Sequence, residues 1–225
     1  MAAACAVCGL EWGGPVVSSA ADARHMNQRC CMYRPFTAPR GKVLFQPGQA
    51  CPGFILLSEG TIKVTLTGAS GREVVLYRVR PGEVCLQTFS CLVNDEVYGA
   101  EGVAEADLKG ELVPAEQFRG RLAEDADFRD RIMASVAARF FEYQRLVEDI
   151  ALTGFDARLS KVLLRLAGPD GVVHATHAAL AAETASGRAY VTRRLAEFAR
   201  KGLVVQREDG IALLDPGALQ RIAAA

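Results

Sequence analysis

The sequence predicts an α+β chain in three parts: an antiparallel β-roll, one long helix, and a winged helix-turn-helix. Three observations predict it. Residues 61–67, Thr-Ile-Lys-Val-Thr-Leu-Thr, alternate polar and apolar with the period of a half-buried strand. Ile132, Val136, Phe140, Tyr143, Val147 and Ile150 recur at steps of four, four, three, four and three, which is helical spacing. Residues 176–205 hold two short helical patterns that meet at a small-residue corner, Ala185-Ser186-Gly187.

The parts follow in order. Residues 1–35 come first, and the opening 25 of them are small and apolar, with Cys5, Cys8 and Trp12. No basic stretch precedes an unbroken apolar run, so they read as a poorly ordered leader and not as a signal peptide. Residues 36–122 carry the β pattern. A second β-rich run spans 73–79, and Gly68-Ala69-Ser70-Gly71 between the two runs is a hairpin signal. Gly48, Gly53, Gly60 and Gly82 fall at strand-like intervals, and short strands with regular turns imply a sandwich or small barrel. Residues 123–152 carry the helical stripe. Such a stripe packs on its own domain or pairs with a twin helix. The heptad-like spacing favours pairing, which makes Ile132, Val136, Phe140, Tyr143, Val147 and Ile150 the expected contacts of a homodimer.

Residues 153–225 form a basic domain. Leu180, Val191, Leu195 and Phe198 can face one small core while Arg188, Arg193 and Arg194 project elsewhere. That is the layout of a helix-turn-helix, whose second helix enters the major groove of DNA. A surface helical hairpin with a solvated basic face would share it. The apolar segment 202–214, broken by a Glu208-Asp209-Gly210 turn, reads as a wing and favours the DNA reader. Charge agrees: residues 151–225 carry ten Lys/Arg against seven Asp/Glu, whereas 1–150 carry 16 against 19. Mean hydropathy is +0.12, and no apolar run reaches the roughly 18 residues of a membrane span. A soluble, cytoplasmic protein without membrane contact is expected.

The order of parts, with KVLFQPGQACPGFILLSEGTIKVTLTGASGREVVLYRVRPGE and LAAETASGRAYVTRRLAEFARKGLV, resembles the Crp/Fnr family of bacterial transcription regulators over roughly residues 36–222. The resemblance implies a cyclic-nucleotide-binding-like roll that senses a signal, paired central helices, and C-terminal domains on palindromic promoter DNA, with RNA polymerase as a further partner. It places Arg188, Ala189, Thr192 and Arg193 where family members touch base edges; an Arg there can bridge guanine O6 and N7. Ser186, Thr192, Arg194 and Arg200 are further candidates for phosphate or base contacts. The helix-turn-helix departs from the family pattern at four positions. Ala185 stands where Gly is usual, Ala189 where Glu often reads a base, and Thr184 and Arg194 where apolar residues are expected.

The resemblance also frames the signal. In cyclic-nucleotide-binding relatives the phosphate cassette holds a Glu for the ribose and then an Arg-Ser pair for the phosphate. Here Gly82-Glu83 is kept, Gln87 or Thr88 replaces the ribose carboxylate, and Val97-Tyr98-Gly99-Ala100 supplies no cation. A cyclic phosphate buried without a positive partner is strongly disfavoured. The same loop supplies Cys85 and Cys91, so a redox or reactive-sulfur switch is expected there, with Gly82, Glu83, Thr88 and Ser90 around it; two small buried hydrophobes are the plainer alternative. That switch requires no cofactor. A small-ligand or nucleotide sensor is a second alternative. A third is an iron–sulfur cluster on Cys5, Cys8, Cys30 and Cys31, which have the right number of thiolates. No metal site is otherwise expected. The chain lacks a nucleophile elbow, a P-loop, a zinc-protease motif and a Gly-rich dinucleotide loop, so it is not expected to be an enzyme. A thiol-dependent activity at Cys85/Cys91 is the one enzymatic version with any footing.

Overall fold

The computed structural model describes residues 34–224. Its backbone divides into two units, one of residues up to Lys63 with Arg78–Arg139, the other of Val64–Tyr77 with the chain from Phe140 onward. The first unit starts on β1 (Arg34–Ala38), so Arg34 and Pro35, expected in the leader, already pair with Leu112 and Glu111 of β7 (Leu108–Pro114). β3 (Gly53–Glu59) flanks β7 on its other side, giving an antiparallel sheet of order β1-β7-β3. A second sheet has the order β2-β6-β4-β5, from Val43–Phe45, Glu101–Ala104, Ile62–Thr67 and Glu73–Val79. The alternation read in the sequence is real: Ile62 and Val64 are buried and Lys63 is not. Phe54, Val84, Leu92, Val113, Phe118, Phe128 and Ile132 form the core, with the Phe54 and Phe118 rings stacked at 4.5 Å.

Three helices belong to this part of the chain: α1 (Leu86–Asn94), α2 (Ala115–Glu124) and α3 (Ala126–Leu152). Asp125 breaks the helical pattern. Its carboxylate accepts from the backbone N–H of Phe128 at 2.9 Å, as a residue capping a helix start does, and Arg121 pairs with it at 2.8 Å. The two donors hold the Asp125 carboxyl below the usual range.

The stripe expected along α3 is not covered alike along its length. Ile132 is buried in the core of its own unit and Val136 packs beside it, whereas Phe140, Val147 and Ile150 are exposed. Tyr143 sets its ring edge-on to Tyr77 at 5.6 Å. The physical reason is the extent of the core, which meets only the first turns of α3, at Phe128, Ile132 and Val136; Ile150, five turns on at the same angle as Ile132, is 40% exposed. An unbroken exposed seam does exist one residue over, at Met133, Ala137, Phe140, Gln144, Val147 and Ala151, with Phe141 alongside.

The second unit contains α4 (Phe155–Leu166), α5 (His177–Glu183), α6 (Arg188–Arg200), α7 (Pro216–Ala223) and an antiparallel sheet of order β8-β10-β9, from Val172–Val173, Gly210–Leu213 and Val204–Arg207. Leu180, Val191, Leu195 and Phe198 meet in one core with Leu159, Leu163, Ile211 and Leu219, as the spacing required. β9 and β10 pair through the Glu208-Asp209 turn and make the wing. Arg158 ties the end of α3 into this unit. Its guanidinium donates to the carbonyls of Asp149, Ile150 and Thr153, and through Nε to that of Thr184. A cation at the carbonyl end of a helix is also favoured by the helix dipole.

Candidate DNA interface and sensory site

The helix-turn-helix is built from local signals. Thr176 caps α5 by accepting from the backbone of Ala179 at 3.1 Å. Thr184, buried where an apolar residue was expected, donates its hydroxyl to the Leu180 carbonyl at 2.7 Å and pairs with the Ser186 hydroxyl at 2.9 Å. Ala185 sits at φ +50°, the left-handed region that glycine enters without cost. The glycine usual at this position is thus a backbone requirement, met here by alanine at some strain.

α6 buries Val191, Leu195 and Phe198 and exposes Arg188, Ala189, Thr192, Arg193, Ala196 and Arg200 along one side. None of Arg188, Arg193 and Arg200 forms an ion pair among the described residues. The Thr192 hydroxyl donates to the Arg188 carbonyl at 3.0 Å, so it accepts from His177 Nδ1 at 2.9 Å. Its methyl group is what remains for a base edge. The Arg193 guanidinium lies 5.8 Å from the ring centre of Tyr190, which leans on Phe155 at 4.5 Å.

Two expected contacts are placed elsewhere. Arg194 pairs with both oxygens of Asp156 and with Glu197, and its side chain is 22% exposed. A guanidinium held on two carboxylates has no donor fork left for phosphate. Ser186 is 8% exposed and engaged with Thr184, so its hydroxyl also faces inward. On the wing, His174 Nδ1 meets the Asp209 carbonyl at 2.8 Å and Nε2 lies 3.6 Å from Asp170. Acceptors at both nitrogens hold its pKa above the ordinary histidine value.

In the roll unit, Gly82 turns at φ +80° and Glu83 accepts from the Arg80 N–H at 2.6 Å. Glu83 also pairs with Arg139 of α3, whose side chain is 4% exposed. One turn before it on α3, the Ser135 hydroxyl accepts from the Val84 N–H at 3.0 Å. Loop and helix are therefore pinned at two successive turns. Beyond the loop, Thr88 is buried and donates to the Cys85 carbonyl at 2.9 Å, while Ser90 is tied to Asn94 at 3.3 Å. Gln87 turns its side-chain oxygen to the Gly99 N–H, and Tyr98 stacks on Phe45 at 4.4 Å. Among these residues the side chains bond to other groups of the chain, and Val97–Ala100 contains no cation.

Cys85 and Cys91 are both buried, and burial, with the neighbouring Cys51 and Cys85 sulfurs, pushes the Cys91 thiol up to about 11. A thiolate at Cys91 is disfavoured at neutral pH. Cys51, which follows the N-terminal cysteines in sequence and has no spacing that ties it to Cys85 or Cys91, is a half-buried thiol. It accepts a hydrogen bond from the Tyr98 hydroxyl at 3.1 Å and directs its own S–H to the Gly53 carbonyl at 3.2 Å. Arg139, Ser135 and Tyr190 were passed over in the sequence. A lone cysteine 40 residues upstream and polar groups inside an apolar stripe leave no spacing signal. Cys5, Cys8, Cys30 and Cys31 lie outside the described residues. Among the described residues, no three His, Cys, Asp or Glu side chains are grouped to hold a metal ion, and no helix is long and apolar enough to cross a membrane.

An exposed basic helix on a winged three-helix core, preceded by a β-roll with a signal loop pinned to a long helix, defines a two-domain transcription regulator. Comparison with known proteins gives the family. Residues 157–222 match the model of the Crp-like helix-turn-helix domain and residues 35–125 that of the cyclic nucleotide-binding domain. The global nitrogen regulator of Synechococcus elongatus is 26% identical over 193 residues, covering 81% of this chain and 86% of its own. The CRP-like cAMP-activated global transcriptional regulator of Mycobacterium tuberculosis is 22% identical over 197 residues, covering 84% and 87%. A Crp/Fnr-family regulator from Eubacterium rectale superposes with a TM-score of 0.80 at 24% identity, covering 92% of this chain and 96% of that one. The chain belongs to the Crp/Fnr family of transcriptional regulators, and it is a DNA-binding regulator and not an enzyme.

Proposed function

We propose that the protein acts as a homodimer that places two α6 helices in successive major grooves of an inverted-repeat promoter site, about 34 Å apart. The exposed file of Arg188, Thr192, Arg193 and Arg200 carries this reading. Arg188 and Arg193 read base edges, Ala189 and the Thr192 methyl take apolar contacts, and Arg200 meets phosphate. The α3 seam of Met133, Ala137, Phe140, Gln144, Val147 and Ala151 joins the two copies, and Phe140→Glu, which sets two carboxylates on that seam, is expected to give single subunits in sedimentation. Bound to its promoter in the cytoplasm, the dimer engages RNA polymerase.

The signal in this reading is thiol chemistry in the roll. Its support is the run of bonds from α1 through Val84–Ser135 and Glu83–Arg139 into α3. Any change at the cysteines of α1 is felt by the helix that sets the spacing of the reading heads. The test is operator affinity, measured by fluorescence anisotropy with and without oxidant, for the unaltered protein and for Cys85→Ser and Cys91→Ser. A change on oxidation that Cys91→Ser abolishes is expected. Equal affinities in all cases exclude Cys85 and Cys91 from signalling.

A further inference from the structure

We propose that Cys51 is the thiol through which a hydroperoxide reaches the roll, and that Cys91 then closes on it as a disulfide.

Access separates the three thiols. Cys85 and Cys91 are buried, whereas Cys51 is only half-buried, just ahead of β3. Contact also selects Cys51. The Tyr98 hydroxyl donates to its sulfur at 3.1 Å and so holds the sulfur in a fixed place. The donor is fixed in place, since the Tyr98 ring stacks on Phe45. Burial and the Cys51 contact raise the phenol's pKa, so it keeps its proton. Proximity selects the partner. The Cys51 sulfur lies 4.0 Å from the Thr88 carbonyl, and Cys91 stands three residues further along α1, on the same face one turn on. Of the two neighbouring thiols that raise the Cys91 pKa, Cys51 acts more strongly than Cys85.

The chemistry balances. The Cys51 sulfur attacks one oxygen of the hydroperoxide, the O–O bond breaks, and the leaving oxygen takes up the proton given by the Cys51 thiol and departs as water or an alcohol, leaving a sulfenic acid. The Cys91 sulfur attacks that sulfur and the S–O bond breaks. The thiol proton leaves with the hydroxide as a second water. The two thiols together give two electrons to the peroxide. The product staples α1 to the start of β3, beside the loop that is bonded to Ser135 and Arg139. The chemistry deepens the thiol reading above and rests on it only for its effect on DNA.

The experiment treats the full chain with equimolar hydrogen peroxide, with and without dimedone, and maps all seven cysteines by peptide mass spectrometry. The expected results are a Cys51–Cys91 disulfide in the unaltered protein and in Cys85→Ser, a dimedone adduct on Cys51 in Cys91→Ser, and neither product in Cys51→Ser. Unmodified Cys51 in the unaltered protein, or the same adduct and bridge yields in Cys51→Ser, overturns the proposal. Tyr98→Phe keeps the stacked ring and removes the donor. It should change the rate of iodoacetamide alkylation of Cys51 about fivefold, the worth of one hydrogen bond; an unchanged rate removes Tyr98 from the account. A disulfide that forms without altering operator affinity leaves the chemistry standing and overturns the regulatory reading.

Discussion

Arg193 and Arg194 are neighbours on one helix, and Arg139 is a third arginine on another, yet the three are used in different ways. Arg193 points outward with only the face of Tyr190 beneath it. Arg194 is half sunk and spans Asp156 and Glu197. Arg139 is almost wholly buried against Glu83 in the roll unit. On α6, Arg188, Arg193 and Arg200 form no ion pair among the described residues, whereas Arg194 and the roll's Arg139 are paired within the chain. Exposure of a cation in the sequence pattern therefore does not tell which of them is left for a partner.

That contrast is sharpest where a buried cation loses its partner. Arg139→Met should cost roughly 3 kcal/mol, because it strands Glu83 in a partly buried site. Urea unfolding should show the loss, and Glu83→Gln in the same chain should recover part of it. A cost near zero would mean that the pair is a spectator. Next in size is the neighbouring couple on α6. Arg193→Ala should lose about 1–3 kcal/mol of discrimination at one base pair and less affinity for random DNA. Arg194→Ala should leave base preference intact and lower unfolding stability, by about 1 kcal/mol given its partial exposure. A reversal of the two outcomes would exchange their roles.

Smaller effects test the frame around α6. Ala185→Gly relieves a left-handed alanine, worth about 1 kcal/mol, but removes a buried methyl group worth about 0.8 kcal/mol. Calorimetry should find a change of a few tenths at most, with operator binding retained. On the wing, the His174 pKa is raised above its unfolded value by the Asp209 carbonyl and Asp170. Its contribution to wing stability is therefore full below about pH 6.5 and is lost as pH rises through the higher folded value. NMR titration should place its midpoint above 6.5, and Asp170→Asn should lower it.

How much could be read beforehand depended on the range of the interaction. The helix-turn-helix was legible because Leu180, Val191, Leu195 and Phe198 reach one core through spacings of a few residues. The strands were legible for the same reason, through period-two alternation in Ile62–Thr67. The α3 stripe was legible as helix, but its facing was not. Ile132 and Phe140 share a helical rhythm and yet differ in cover, one in the core and one in solvent. Arg194 reads as one more surface cation until Asp156, 38 residues earlier, is seen against it. The sulfur cluster was the least legible part. Cys51 meets Tyr98 across 47 residues, and only the packed roll brings them together.

Arg158 has a mechanical consequence. One planar group grips three carbonyls at the tail of α3 and a fourth at the bend ahead of α6, so the joint has almost no play. A single ammonium could hold only part of this grip, so Arg158→Lys should loosen the seam between the end of α3 and the turn after α5.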